Sequence, residues 1–187
     1  MQLYIKNMVC DRCILVVRQQ LETLQLPYKN IQLGAAELSD TPTKEQLQFL
    51  KDQLQHLGFE VLYDKKSTIV EKIKTAIIQL IQNIDEEALT IKLSVLLQEK
   101  LKLDYHYLSS LFSSIEGITI EKYAILQRIE KAKELLMYDE LSLGEIADKL
   151  GYSSVQHLSL QFKKITGLTP SHFKQLRENI RKSLDKV

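Results

Sequence analysis

Long apolar runs are absent: no stretch approaches the roughly 18 consecutive apolar residues that a membrane-spanning helix needs. The amino terminus, MQLYIKNMVCDRC, also lacks the basic segment and apolar core of a secretory signal, so the expected location is the cytoplasm. Cysteine is scarce, with only Cys10 and Cys13. In a cytosolic chain a lone C-x-x-C reads as a metal or redox site, because so short a loop would staple very little. The three prolines, Pro27, Pro42 and Pro170, offer no cis-proline candidate near the cysteines. That removes a thioredoxin-like oxidoreductase, although such an enzyme would also place C-x-x-C at a helix start. There is no nucleotide-binding glycine loop, no pair of carboxylates on one face and no nucleophile with an evident base. Catalysis is not expected.

What is present is ordinary globular material: 187 residues, 44% hydrophobic and 26% charged, near the size boundary between one and two domains. The net charge of +1 conceals an uneven distribution. Residues 1–66 carry eight basic against eight acidic side chains, whereas residues 152–187 carry seven basic (Lys163, Lys164, Lys174, Arg177, Arg181, Lys182, Lys186) against Glu178 and Asp185. A basic carboxy-terminal end is the electrostatic footprint of a nucleic-acid binder.

Leu3 and Ile5 alternate with polar neighbours as in a strand. Ile14, Val17, Leu21 and Leu24 then recur at helical spacing and stop before Pro27. Residues 29–40 read as a strand or hairpin in which Gly34 permits a bend or bulge. Thr43 is the expected N-cap of a second helix bearing Leu47, Leu50, Leu54 and Leu57, with Gly58 as its C-cap. Phe59, Val61 and Tyr63 alternate as a last strand. The order βαβ(β)αβ gives a small α+β domain over residues 1–64, with 65–67 as linker. From Thr68 onward only helical patterns follow: Ile69, Ile73, Ile77 and Leu80 line one helix to about Asn83, and a turn around Asp85–Glu87 leads to another bearing Leu93, Leu96, Leu97 and Leu101.

The remainder holds an internal repeat. Residues 104–117 (DYHYLSSLFSSIEG) and 154–167 (SVQHLSLQFKKITG) share Leu, Ser, Phe, Ile and Gly at identical offsets, and each has a histidine in its first turn. Before the second copy, Ser142 and Glu145 form a capping box, Gly151 supplies a tight turn, and Ser153 or Ser154 caps the next helix. Helix, turn, recognition helix is the grammar of a DNA reader.

On these residues, and on the tail motif GYSSVQHLSLQFKKITGLTPSHFK with YAILQRIEKAKELL as a connecting helix, residues 68–176 resemble the AraC/XylS family of bacterial regulators. The resemblance implies an all-α domain over residues 68–187 with two helix-turn-helix units joined by a long helix. Its recognition helices, starting near Tyr105 and Val155, would enter successive turns of the major groove of double-stranded DNA. By motif position Leu108, Phe112, Leu158 and Phe162 are core. The groove-facing set is His106, Ser109 and Ser110 in the first helix, and Val155, Gln156, His157, Ser159 and Leu160 in the second. Gln156 has the groups to pair with adenine, while Lys163, Lys164 and Arg128 would meet phosphates; solvated surface is the alternative for each histidine and serine. Many relatives carry Arg or Lys where this chain has Ser110 and Leu160. Few neutralised phosphates mean modest affinity at physiological salt, which a homodimer, an atypical site or help from RNA polymerase would offset.

Residues 1–64 are similar to heavy-metal-associated domains, the ferredoxin-like modules of copper chaperones, through Met8-Val9-Cys10-Asp11-Arg12-Cys13 and Leu57-Gly58-Phe59-Glu60. The family usually has glycine before the Met8 position, where this chain has Asn7, and a clearer central hairpin. A helix N-terminus beside the cysteines favours the thiolate that metal binding and redox chemistry both require, and Arg12 adds to this. Two sulfurs suit Cu(I), or Zn²⁺, Cd²⁺ or Hg²⁺ with extra ligands, for which a second chain would be needed. Met8 is expected in the core and Phe59 beneath the site. The leading expectation is a DNA-binding regulator that responds to a soft metal ion at Cys10 and Cys13. The alternatives are a metal-trafficking protein that has lost operator binding, a thiol-redox sensor, and a vestigial site kept as fold.

Overall fold

The computed structural model describes residues 1–62, 65–82 and 92–176. By contacts the chain divides into two compact units, one comprising Met1–Ala76 and Leu97–Gly117, the other drawn from Ile77–Leu96 and Ile118–Val187.

In the first unit the order is β1 (Gln2–Lys6), α1 (Asp11–Thr23), β2 (Tyr28–Gln32), β3 (Ala35–Leu38), α2 (Lys44–His56) and β4 (Glu60–Leu62). The sheet order is β2-β3-β1-β4, with every neighbouring pair antiparallel. The hairpin left open by the sequence is therefore present. Gln32 pairs with Ala35, and Gly34 turns the chain at φ +77. The register irregularity lies instead between Tyr28 and Asn30.

Period-two alternation puts Leu3 and Ile5 on one sheet face, where they join Val17 and Leu21 of α1 and Leu50 and Leu54 of α2 in one core. Met8 and Phe59 are also buried there, as expected. Burying each such aliphatic side chain contributes about 1.5–3 kcal/mol, enough to fix which side of β1 faces inward. The α2 cap is a full capping box: the Thr43 hydroxyl accepts from Gln46 N at 3.2 Å, and the Gln46 side chain accepts from Thr43 N at 3.0 Å. Leu57 is the C-cap residue, and Gly58 follows it at φ +85.

The segment 65–67, read from sequence as linker, is the first turn of α3 (Lys65–Gln82). That helix lies over the opposite sheet face. Lys72 Nζ sits 4.5 Å from the centre of the Tyr4 ring, and a Cβ on Gly34 would come within 2.8 Å of Thr75 Oγ1. The residues of α3 buried before Ala76 are Thr68, Val70, Glu71 and Ile73. Of the stripe expected along this helix, Ile73 and Ile77 are buried, Ile69 and Leu80 are half-buried, and the covered face also takes in Val70 and the carboxylate of Glu71. Tyr63, Asn83 and the turn at 85–87 lie outside the described residues.

Further helices are α4 (Leu93–Leu101), α5 (Tyr105–Glu116), α6 (Ile120–Tyr138), α7 (Leu143–Lys149) and α8 (Val155–Thr166), and residues 170–176 are also helical. In the second unit Ile129, Ala132 and Leu136 of α6, Ile146 and Ala147 of α7, and Leu158 and Phe162 of α8 form a single core. Among the described residues no helix is long and apolar enough to cross a membrane.

Candidate nucleic-acid interface and thiol site

The second helix-turn-helix unit follows its local sequence closely. Ser142 accepts from Glu145 N at 3.3 Å, and the Glu145 carboxylate accepts from Ser142 N at 2.7 Å. The same contact lowers the Glu145 pKa. After α7 the chain passes through Gly151 at φ +71, a conformation glycine adopts without Cβ strain. Of the two candidate caps it is Ser154 that closes α8, accepting from His157 N at 3.1 Å. Ser153 instead meets His157 Nδ1 at 3.2 Å, and the His157 ring stands edge-on to Tyr152 at 5.3 Å. The imidazole is thereby held at Nδ1 and against the Tyr152 ring.

Along α8, Leu158 and Phe162 are fully buried, and Phe162 packs edge-on against Phe173 at 5.6 Å. The outward positions are Gln156, His157, Leu160, Lys163 and Lys164, all exposed, with Val155 and Ser159 half-buried. Gln156, Leu160 and Lys163 fall at i, i+4 and i+7, a single stripe. Leu160 is 72% exposed, the largest exposure among the large hydrophobic side chains described. Arg128 of α6 is half-buried. It lies near the Tyr152 hydroxyl, whose pKa burial raises and the Arg128 charge partly lowers.

The first unit repeats the plan at a constant offset. Asp104 caps α5, accepting from His106 N at 2.8 Å and Tyr107 N at 3.2 Å, and Gly117 ends the helix at φ +70 as Gly167 ends α8 at +80. Leu108 and Phe112 are fully buried. His106 and Ser110 are exposed and Ser109 is half-buried. The residue equivalent to Gln156 is His106, and the residue equivalent to His157 is Tyr107, 44% exposed. Sequence reading passed over Tyr107; the repeat itself marks it, as the counterpart of the exposed His157. The turn before α5 is made by Lys102 at φ +56, with no glycine to signal it. No lysine or arginine lies within α5, while α8 has two.

The cysteines sit where β1 gives way to α1. Asn7 turns the chain at φ +71, the conformation for which glycine is the usual residue, and Asn is among the few others that tolerate it. Its Nδ2 donates to Gly58 O at 2.8 Å. Cys10 is the N-cap of α1 and Cys13 its third residue, with Cys13 N donating to Cys10 O at 2.9 Å. The sulfurs are 3.4 Å apart and both residues are half-buried. Burial raises the Cys10 pKa, but the amides of Cys13 and Arg12, the Cys13 thiol and the Arg12 charge outweigh it, and the net shift is downward. Among the described residues no cluster of three or more His, Cys, Asp or Glu side chains forms a metal cage. The donor set therefore fits an ion content with two thiolates better than a four-coordinate zinc within one chain.

Residues 97–176 match the model of a helix-turn-helix domain. They are 32% identical over 81 residues to part of the uncharacterized HTH-type transcriptional regulator YtdP of Bacillus subtilis, an alignment covering 43% of this chain and 10% of that protein. The solved carboxy-terminal domain of AraT, a response regulator from Geobacillus stearothermophilus, is similar at 27% identity and a TM-score of 0.50, over 60% of this chain and 88% of that one. This segment is an AraC-type helix-turn-helix domain. A longer alignment, 29% identical over 146 residues, joins 76% of this chain to 47% of YisR, an uncharacterized HTH-type transcriptional regulator of Bacillus subtilis. The chain spans half or less of the length of these curated relatives, from 10% to 47%. The matched segment takes in both duplicated helices, α5 and α8. It begins after the thiol module, whose heavy-metal-associated character these likenesses do not show.

Proposed function

We propose that the chain is a sequence-specific DNA-binding transcriptional regulator whose ferredoxin-like amino-terminal module binds a soft metal ion, Cu(I) before Zn²⁺, Cd²⁺ or Hg²⁺, at Cys10 and Cys13. The observation that carries the DNA-reading half is the pair of capped recognition helices, α5 and α8, with their buried Leu and Phe anchors at matching positions. Their opposite faces present His106, Tyr107, Ser109 and Ser110 in one, and Val155, Gln156, His157, Ser159 and Leu160 in the other. Gln156 offers a donor and an acceptor to an adenine edge, Leu160 an apolar contact to a thymine methyl, and Lys163, Lys164 and Arg128 charge to the phosphates.

The metal half is supported by the paired sulfurs at a helix N-terminus and by the lowered Cys10 pKa. A bound soft ion would supply a fixed positive charge and a cross-link between the loop and the first turn of α1. The chain's own part is to hold the two sulfurs together, with Cys13 packed against the core that contains Met8 and Phe59. The β-α-β-β-α-β order with antiparallel neighbours supports the ferredoxin-like assignment. Redox sensing uses the same two thiols and is the second reading, favoured by their 3.4 Å separation.

Selection of duplexes from a random-sequence library, followed by titration at fixed salt, tests the DNA half. The full chain enriches a defined site, and Gln156→Ala weakens that site by about 1–3 kcal/mol while leaving binding to unrelated duplex unchanged. A chain that enriches nothing contradicts the reading. Competition with a Cu(I) chelator tests the metal half: tight uptake is lost in Cys10→Ser/Cys13→Ser, and equal uptake by that variant would reject the site.

A further inference from the structure

A group of charged side chains in the first unit is left over by both halves of this reading. Glu71 of α3 is a carboxylate with only 6% of its surface exposed. One of its oxygens accepts from the backbone N–H of Asn7 at 3.1 Å. The other faces Lys74 Nζ at 3.9 Å, and Lys74 reaches on to Glu116 Oε1 at 2.7 Å. Glu116 is the last residue of α5, immediately before the Gly117 that ends the first recognition helix. On its other side Asn7 offers its carbonyl to Cys13 Sγ at 3.9 Å. A continuous set of contacts thus runs from the thiol pair, through the left-handed Asn7, to the end of a DNA-reading helix. Lys6, next to Asn7, is held charged by Glu60 and more weakly by Glu71 and Glu116, so it shares the same field.

We propose that Glu71 and Lys74 are positioning residues that couple the state of the Cys10–Cys13 loop to the carboxy-terminal end of α5. The proposal rests on reading that loop as the ligand-responsive element. The geometry supports it in three ways. Asn7 is held at its amide by Glu71 and at its side chain by Gly58, and its carbonyl meets Cys13 Sγ, so a displacement of Cys13 bears on the Asn7 peptide. A buried carboxylate that loses an N–H partner must recover it elsewhere, and the group at hand is Lys74. Lys74 meets both Glu71 and Glu116, so a stronger pull from Glu71 weakens its hold on α5. Side-chain exposure along this path is small, 8% for Glu71, 14% for Lys74 and 23% for Glu116, so solvent screens it less than a surface pair. A ligand at the sulfurs would then alter the fraying of the last turn of α5, where Ser113 and Ser114 precede Glu116.

Amide hydrogen exchange of the full chain, read at residues 110–117, tests this with and without Cu(I) and, separately, before and after alkylation of the thiols with iodoacetamide. Either perturbation is expected to change exchange at 110–117 by about fivefold or more in the native sequence. The change disappears in Lys74→Met and in Glu116→Gln and returns in Lys74→Arg, while Lys133→Met, a surface pair elsewhere, retains it. An unchanged response in Lys74→Met and Glu116→Gln overturns the proposal. So does the absence of any response in the native sequence once Cu(I) uptake or alkylation has been verified by mass. Should Cu(I) not bind, the metal reading falls by itself, and the alkylation arm decides the coupling on the same two criteria.

Discussion

At Asn7 a side chain does what glycine usually does. The departure from the glycine of heavy-metal-associated domains looks from sequence like a mark against the resemblance; in the structure Asn7 adopts φ +71 and uses its amide to bind Gly58 O. Asn7→Gly keeps the backbone and loses the hydrogen bond, whereas Asn7→Val loses both and forces a branched residue into the left-handed region. The expected order in urea unfolding is native, then Asn7→Gly, then Asn7→Val, with the last destabilised by about 1–3 kcal/mol. Cys10 offers a second check at this scale. Its pKa is lowered, so the folded state favours the thiolate, and this contribution is present above the unfolded-state pKa and lost as pH falls through the folded one. Alkylation of Cys10 should accordingly persist to lower pH in the folded protein than in urea; identical profiles would contradict the assigned environment. On α8, Leu160 is the most exposed apolar side chain facing away from the core. Leu160→Arg should tighten DNA binding and steepen its dependence on log salt concentration by about 0.9 for one added phosphate contact.

Elements were legible where periodicity and caps agreed. Thr43 with Gln46, Ser142 with Glu145, and the two glycines ending α5 and α8 each behave as their spacing predicts, because a cap is decided within four residues. Ser142→Ala is expected to cost about 1 kcal/mol of unfolding free energy. Phe162→Ala, which empties a fully buried ring position between α6, α7 and α8, should cost about 3–5 kcal/mol. Thermal or denaturant unfolding separates the two. Legibility failed where tertiary contact decides. The buried face of α3 runs through Val70, Glu71 and Ile73 because the sheet lies beneath it, and nothing local to KKSTIVEKIK announces that a glutamate will be covered. The turn at Lys102 was likewise unannounced, because a lysine at φ +56 carries none of the signal that a glycine would. The outward-facing positions of α5 and α8 were legible from the repeat, with Tyr107 the exception, since an aromatic at helical spacing is read first as core.

Over the whole molecule, electrostatics separates two roles. The basic groups described on the second helix-turn-helix unit, Arg128, Lys163 and Lys164, have no counterpart on α5, whose own last residue is Glu116. The second recognition helix should therefore supply most of the salt-dependent affinity, and the first should contribute sequence discrimination and respond to the thiol module. Lys163→Ala/Lys164→Ala is expected to lower affinity for all duplexes alike, whereas His106→Ala/Tyr107→Ala changes only the preferred sequence. The central claim joins thiols to DNA. It is tested most directly by the affinity of the reduced full chain for its selected duplex, measured at one salt concentration with and without one equivalent of Cu(I). The same pair of titrations is then made on Cys10→Ser/Cys13→Ser. A shift of about fivefold or more in the native sequence that vanishes in the variant is the predicted result. Equal affinity in all four titrations would contradict the claim, since the amino-terminal cysteines would then not control DNA binding.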